Sequence, residues 1–330
     1  MKYNQLGKSE VKVSAITFGA WAIGGWMWGG TDQKDAVAAI HTAIDLGITS
    51  IDTAPIYGFG LSEELVGEAI AGKRHQVQLL TKYGMRWDST EGKLAFMSED
   101  ASGKEVPIHK FAGKKSIIKE CEDSLRRLRT DYLDLYQIHW PDVTTPIAET
   151  MEAVAQLKQE GKILASGVCN YSAQQLAEAD KTLEQVSDQV PYSMVERDIE
   201  TNVTPYCLEN SKGILAYSPL QRGLLTGKIT DDYQFEEGDH RPNTKHFRPD
   251  NRTKVNAFLN KIRPIAEGYN ASLAQLVINW TIQQPAVAAA LVGARNPKQV
   301  QENAKALDFM LTSEEITQIN SLLGELNLSA

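Results

Sequence analysis

Residues 133–170, LDLYQIHWPDVTTPIAETMEAVAQLKQEGKILASGVCN, decide the fold. An apolar run, Leu133–His139, gives way to a polar connection that ends at Pro146. A stretch of helical period follows from Ile147 to Glu160, Gly161 stops it, and a second apolar run covers Ile163–Cys169. Strand, helix and strand in that order predict two parallel strands joined by a right-handed crossover.

The unit repeats outward in both directions. Strand candidates lie at Ala15–Gly19, Thr49–Asp52, Val77–Lys82, Leu133–His139, Ile163–Cys169, Ser187–Val190, Ile214–Tyr217 and Val287–Val292. Helix candidates alternate with them at Lys34–Leu46, Ser62–Ala71, Lys115–Arg129, Ile147–Glu160, Ala173–Leu183, Val203–Asn210, Ser272–Gln284 and Pro297–Ala306. Local signals agree: Ser62 precedes Glu63 and Glu64 as a helix N-cap does, Gly47 and Gly161 follow helices, and Pro146 begins one. Eight βα repeats over the chain favour a closed (β/α)8 TIM barrel of class α/β, with an open doubly wound sheet as the competing arrangement.

Additions frame the repeat. Lys2–Leu6 and Val11–Val13 predict an N-terminal β-hairpin plugging the lower mouth, and Arg252–Tyr269 and Ser313–Gly324 predict extra C-terminal helices. The connections 84–113 and 229–249 are long enough to read as lids or binding loops over the active-site face. With no internal repeat or low-complexity linker, residues 1–330 read as one domain.

Composition excludes several functions. A net charge of -8 and a pI near 5.4 argue against a nucleic-acid surface, and Lys73-Arg74 and Arg126-Arg127 read as solvated helix ends. Cys121, Cys169 and Cys207 form no CxxC pair, which indicates neither a disulfide framework nor a zinc site and points to a reducing compartment. No signal-peptide core or membrane-length apolar run is present, so the expected location is the cytoplasm. His41, His75, His109, His139, His240 and His246 make no HExxH, no GxSxG elbow exists, and no metal is expected.

Barrel chemistry gathers where strands end. Here the ends carry Asp52, Lys82, His139, Asn170, Gln189 and Tyr217-Ser218. A lysine at that mouth is partly desolvated, and a neighbouring carboxylate keeps it charged. Charged Lys82 would lower the pKa of a nearby phenol, and Tyr57, in DTAPIYG after the second strand, is the phenol within reach. His139 is placed to orient or polarise a carbonyl, or to act in proton exchange.

In FGAWAIGG (18–25), DTAPIYGFGLSEELVGEAI (52–70), LLTK (79–82), LRTDYLDLYQIHWPD (128–142), GKILASGVCNYS (161–172), LAYSPLQRGLLTGK (215–228) and LVGARNPKQVQEN (291–303), the chain resembles the aldo-keto reductases. The likeness is to the bacterial branch related to general stress proteins and potassium-channel β-subunits. It implies a tetrad of Asp52, Tyr57, Lys82 and His139, with Tyr57 as general acid in a reversible NADPH-dependent reduction of aldehydes and ketones; NADH is the alternative cofactor. It implies Asn170 and Gln189 on the nicotinamide carboxamide, Tyr217 stacked on that ring, and Ser218, Leu220, Gln221, Gly223, Leu225 and Lys228 at the pyrophosphate. Gly19, Ala20, Trp21, Asp52 and Gly293 complete the cofactor seat, Arg295 meets a 2′-phosphate, and Gln299, Glu302 and Asn303 meet the adenosine end. Apart from the resemblance, Trp21, Trp26, Trp28, Trp87 and Trp140 stand near predicted loop ends; Trp21, Tyr57, Trp87, His139 and Trp140 are the candidate substrate wall, and Trp26 and Trp28 either extend it or belong to the ordinary core.

Two positions depart from the family pattern: Cys169 stands where a serine often precedes the nicotinamide-binding asparagine, and Gln299 where some relatives have arginine. The latter leaves Arg295 with more of the 2′-phosphate. A Rossmann fingerprint is missing, because Gly58-Phe59-Gly60 continues to Glu63 where a third glycine would stand. The likeness to channel β-subunits also implies an alternative, a cofactor-sensing subunit with slow turnover. The expected partner is a small carbonyl compound, with neither nucleic acid nor membrane; no motif specifies an oligomeric state.

Overall fold

The computed structural model describes residues 1–25, 32–100, 102–235, 239 and 241–329. Trp26, Trp28 and His240 lie outside the described residues. The chain opens with the antiparallel hairpin β1 (Tyr3–Gln5) and β2 (Lys12–Ser14). It continues through β3 (Ile16–Gly19), α1 (Gln33–Asp45), β4 (Ser50–Asp52), α2 (Leu61–Ala69) and β5 (Gln78–Tyr83). Three further strands, β6 (Met85–Arg86), β7 (Lys93–Glu99) and β8 (Glu105–Lys110), precede α3 (Lys114–Leu128). Then come β9 (Leu133–Ile138), α4 (Ile147–Gln159), β10 (Ile163–Cys169), α5 (Ala173–Ala179), β11 (Ser187–Pro191), α6 (Val203–Glu209) and β12 (Gly213–Tyr217). The last elements are α7 (Pro249–Gly268), α8 (Leu273–Ile282), β13 (Val287–Gly293), α9 (Pro297–Ala304) and α10 (Ser313–Gly324).

Strands β3, β4, β5, β9, β10, β11, β12 and β13 form a closed parallel barrel. Closure runs through Gly293 beside Gly19 and Val292 beside Phe18, which excludes the open doubly wound sheet. The barrel therefore has the expected (β/α)8 form, with α7 and α10 as the added helices. An inner core of Leu80, Leu135, Ala165, Leu215 and Ala289 fills the barrel, and Leu6, Val11 and Val13 of the hairpin segment close it from below. A larger outer core joins the strands to the helices, as two packed layers require.

The described part of the connection 84–113 has regular structure. It folds as an antiparallel sheet in the order β6-β8-β7, with a turn in which Asp100 Oδ1 accepts from the Ser102 and Lys104 amides. Ile108 and Met85 bury against Ala54 and Ile56, so this sheet braces the segment that carries Tyr57. The connection 229–249 holds short 3-10 turns at Arg241–Asn243 and Lys245–Phe247.

Three local expectations need correction. Ser62 is not the cap of α2; Gly60 is. The Ser62 hydroxyl is buried and donates to Ala20 O at 2.9 Å, with Thr53 Oγ1 another 2.9 Å away, so it ties two strand ends to the helix. Nor are both basic pairs simply solvated. Arg127 pairs with the fully buried Glu63 at 2.7 Å, and Arg74 holds Asp134 at 2.7 Å together with two backbone carbonyls, whereas Arg126 is exposed. A carboxylate sealed under a helix needs a cation, which sequence context alone cannot reveal.

Among the described residues no helix is long and apolar enough to cross a membrane, and no group of His, Cys, Asp and Glu could hold a metal ion. The three cysteines are buried free thiols.

Candidate active site

Alternation along β4, β5 and β9 turns Asp52, Lys82 and Gln137 toward one another at the upper end of the barrel. Lys82 is fully buried. Its Nζ donates to Asp52 Oδ1 at 2.6 Å and to Thr53 O at 2.9 Å, and lies 3.3 Å from the hydroxyl of Tyr57. Burial disfavours the ammonium, but Asp52 and Tyr57 more than offset it, so Lys82 stays charged above the ordinary lysine value.

Tyr57 behaves less simply than its neighbour suggests. Burial is the largest influence and raises the phenol; Lys82 pulls it down without winning, and the net value is pushed up to about 12. Lys82 acts in the direction the sequence suggests, but against a larger desolvation that only burial in the fold creates. Tyr57 is held from behind by backbone packing at the tightest point of the site. A Cβ on Gly24 would fall 2.8 Å from Tyr57 O, and one on Gly58, whose φ is +65°, would fall 2.2 Å from Gly24 O.

His139 follows β9, and its amide donates to Tyr83 O at 2.9 Å. The half-buried ring meets Tyr57 edge-on at 5.7 Å between centroids. Burial, with Lys82 and Lys110 adding to it, keeps this imidazole well below its usual pKa and hence neutral near pH 7. The Trp21 ring lies 6.2 Å from that of Tyr57, centroid to centroid. Trp87 packs on Phe59 at 5.7 Å within the same cluster as Tyr57. Trp140 is more peripheral, with its ring against Lys110 Nζ at 4.4 Å and 37% exposed.

Next to these stand the expected cofactor residues. Asn170 closes β10 in a left-handed conformation, φ 60°, donates to His139 O at 3.1 Å and accepts from the Tyr217 hydroxyl at 3.0 Å. Gln189 is drawn into the ion pair: its Nε2 donates to Asp52 Oδ2 at 2.7 Å. Gln137 also donates to that oxygen, at 3.4 Å. The sequence reading misses Gln137, although its place two residues before His139 in LDLYQIH is a legible sign that it faces inward.

After β12 the chain enters a turn with unusual backbone angles. Ser218, Gln221, Arg222 and Gly223 have φ of 55°, 46°, 51° and 93°. Leu220 O accepts from the amides of Gly223 and Leu225. Leu225 is itself core, whereas Lys228 is exposed. The Gln221 amide likewise donates inside the turn, to Ser218 O at 2.8 Å, so these amides hold the turn in its compact left-handed shape.

At the edge of the barrel, Gly19 pairs with Gly293, and the Ala20 amide donates to Asp52 O at 2.8 Å. Arg295 and Glu302 are exposed. Asn296 caps α9, with Pro297 as its first residue. Gln299 turns inward to accept from the Arg295 amide at 2.8 Å, and Asn303 donates to Gly293 O at 3.3 Å. Both side chains are thus engaged in shaping the turn that presents Arg295.

The comparisons agree with this geometry. Residues 15–323 match the model of the Aldo/keto reductase family. The chain is 40% identical over 326 residues to the aldo-keto reductase YhdN of Bacillus subtilis, covering 98% of this chain and 94% of the relative. It is 37% identical over 328 residues to a protein of Escherichia coli named an NADH-specific methylglyoxal reductase, covering 98% of each. Among solved structures, the glycerol dehydrogenase AKR11B4 from Gluconobacter oxydans superposes with a TM-score of 0.90 at 38% identity, over 99% of this chain and 97% of that one. With a closed barrel, a buried lysine-carboxylate pair beside a tyrosine and matches of this extent, the chain is an oxidoreductase and belongs to the aldo/keto reductase family.

Proposed function

We propose that the chain is a reversible, NADPH-dependent reductase of aldehydes and ketones in which Tyr57 delivers the proton. The observation that carries the reading is the line Asp52–Lys82–Tyr57, closed by contacts of 2.6 and 3.3 Å inside the barrel mouth. Members of the family use nicotinamide cofactors, and the residues beside this line fit one. Asn170 and Gln189 offer amides for a carboxamide, Tyr217 offers a ring, the compact left-handed turn at 221–223 stands where the family resemblance puts a pyrophosphate, and Arg295 offers a planar cation for a 2′-phosphate. When bound, the nicotinamide supplies the hydride that reaches the carbonyl carbon.

The rest of the work falls to the chain. A phenol pushed up to about 12 keeps its proton at neutral pH, so Tyr57 waits as an acid. As charge develops on the carbonyl oxygen the proton passes to it, and Lys82, kept charged by Asp52, stabilises the phenolate left behind. His139, neutral in this setting, donates a hydrogen bond to the same oxygen without competing to protonate it. In the oxidative direction the Tyr57 phenolate, held beside charged Lys82, accepts the alcohol proton as the hydride leaves the carbon.

Preference for NADPH over NADH rests on Arg295, and the name of the Escherichia coli relative marks the competing outcome. That name also recommends small ketoaldehydes for the substrate panel. The reading takes residues 1–330 as one domain acting in the cytoplasm, in keeping with three free thiols.

The test is Tyr57→Phe assayed with NADPH on short aldehydes and ketones including methylglyoxal. Loss of the acid should slow reduction by roughly 10² to 10⁴ while NADPH affinity stays within about twofold. Equal rates for variant and wild type refute the assignment. A ratio of kcat/KM for NADPH and NADH that does not move in Arg295→Met refutes the 2′-phosphate contact.

A further inference from the structure

The connection 229–249 contributes one buried ionisable side chain that the proposed mechanism does not use. His246 is 4% exposed and is gripped at both ring nitrogens. Nδ1 lies 2.8 Å from Gln221 Nε2, and Nε2 lies 3.1 Å from Val195 O and 3.3 Å from Glu196 Oε2. A carbonyl oxygen can only accept and an amide nitrogen can only donate, so the contacts assign the proton to Nε2 and leave the Nδ1 lone pair to receive Gln221. The ring is therefore neutral and fixed in one tautomer. The other end of the Gln221 amide, Oε1, accepts from Ser193 Oγ at 3.3 Å.

What His246 holds is strained. Gln221 and Arg222 are successive non-glycine residues in the left-handed region, a conformation that survives only where surrounding contacts impose it. Arg241, five residues before His246, makes a parallel contact, donating from Nη1 to Arg222 O at 3.3 Å. Arg241 is itself set by Asp239 at 2.6 Å. His246 and Arg241 thus grip two consecutive residues of the turn, one through its side chain and one through its carbonyl.

We infer that His246, with Arg241 beside it, is a positioning residue for the dinucleotide seat: it holds the turn 221–223, whose Gln221 and Gly223 amides bond within the turn, in the left-handed shape against which a pyrophosphate would lie. This rests on the reading that the turn seats a nicotinamide dinucleotide. A preformed turn spares the ligand the cost of ordering it, so the effect is on affinity. Neither residue touches the carbonyl or the transferred proton.

The test separates a positioning role from general support of the fold. NADPH, NADH and adenosine 2′,5′-bisphosphate, the last of which lacks the pyrophosphate bridge, are titrated into wild type, His246→Phe and His246→Asn by tryptophan fluorescence. Circular dichroism confirms folding at the working temperature. Losing a charge-free hydrogen bond and the order it imposes should weaken NADPH by about tenfold in His246→Phe while leaving the bisphosphate within about twofold. His246→Asn, which can still offer an acceptor to Gln221, should recover most of the NADPH affinity.

Should His246→Phe not fold, Arg241→Met reads the same turn through its second contact and carries the same expectation. Unchanged NADPH affinity overturns the inference, and so does an equal loss for both ligands, which would mark a structural role only. If wild type binds the bisphosphate but neither NADPH nor NADH, or binds none of the three, the dinucleotide reading itself falls and this inference with it.

Discussion

Gln189 donates from Nε2 to the Oδ2 of Asp52 at 2.7 Å, so a residue expected to serve the cofactor is also part of the buried charge system. Asp52 is thereby satisfied on both oxygens, by Lys82 on one and by Gln189 with Gln137 on the other. Gln189→Leu should cost about 1.5–3 kcal/mol of stability, the usual range for a hydrogen bond to a charged group. It should weaken cofactor binding as well. Urea denaturation and a cofactor titration check the pair of effects, and a variant as stable as wild type contradicts the geometry.

The Lys82–Asp52 pair should show the asymmetry of buried ions. Lys82→Met leaves a carboxylate, 2% exposed, without its cation and should destabilise by about 3–5 kcal/mol. Adding Asp52→Leu removes the stranded charge and should recover much of that loss, while activity stays absent because nothing stabilises the phenolate. Denaturant midpoints of the two singles and the double settle this. Additive losses would mean that the pair is not coupled.

Titration gives two signs. Tyr57, pushed up to about 12 mainly by burial, stays protonated through neutral and mildly alkaline pH, so reduction should not lose its acid until pH climbs toward that value. Lys82 is what restrains the phenol, so Lys82→Met should raise it further. His139 has the opposite linkage. Its folded value lies well below the ordinary 6.5, so under acid conditions the unfolded chain binds a proton that the folded chain refuses. Stability owed to His139 is full above that ordinary value and declines as pH falls below it; His139→Asn should flatten the acid limb of a stability profile. An unchanged limb would show that His139 is already charged in the folded protein.

Gly24→Ala tests the backing of Tyr57. The new Cβ would stand 2.8 Å from Tyr57 O and 2.9 Å from Tyr57 C, both backbone atoms that cannot swing aside. Displacing Tyr57 from its 3.3 Å contact with Lys82 should cut kcat by at least about tenfold, since misplacement near 1 Å is costly in catalysis. Comparing kcat with the melting temperature shows whether the loss exceeds what destabilisation explains.

Much of this was legible in the chain. Runs such as Leu133–Ile138 and Ile163–Cys169 around a helical stretch carry their own periodicity, and that is a local property of sequence. Asp52, Lys82, His139 and Asn170 could be found because each lies at or within one residue of a strand end, and a closed barrel brings strand ends together. The sheet at 85–110 escaped notice because β7 is mostly exposed and its pairing with β8 is bulged between Leu94 and Phe96, so no clean alternation marks it.

Alone, the amino-acid order determined the barrel and the kinds of chemical group at its mouth, because both follow from short-range pattern. Tertiary structure decided how those groups act. Whether burial or Lys82 governs Tyr57, whether Gln189 turns to Asp52, and whether Arg127 meets water or Glu63 depend on distances between segments far apart in the chain. Desolvation and Coulomb energy are set by those distances. The hold of His246 on Gln221 belongs to the same class, since the two residues meet only when the connection after β12 folds back over the turn it leaves.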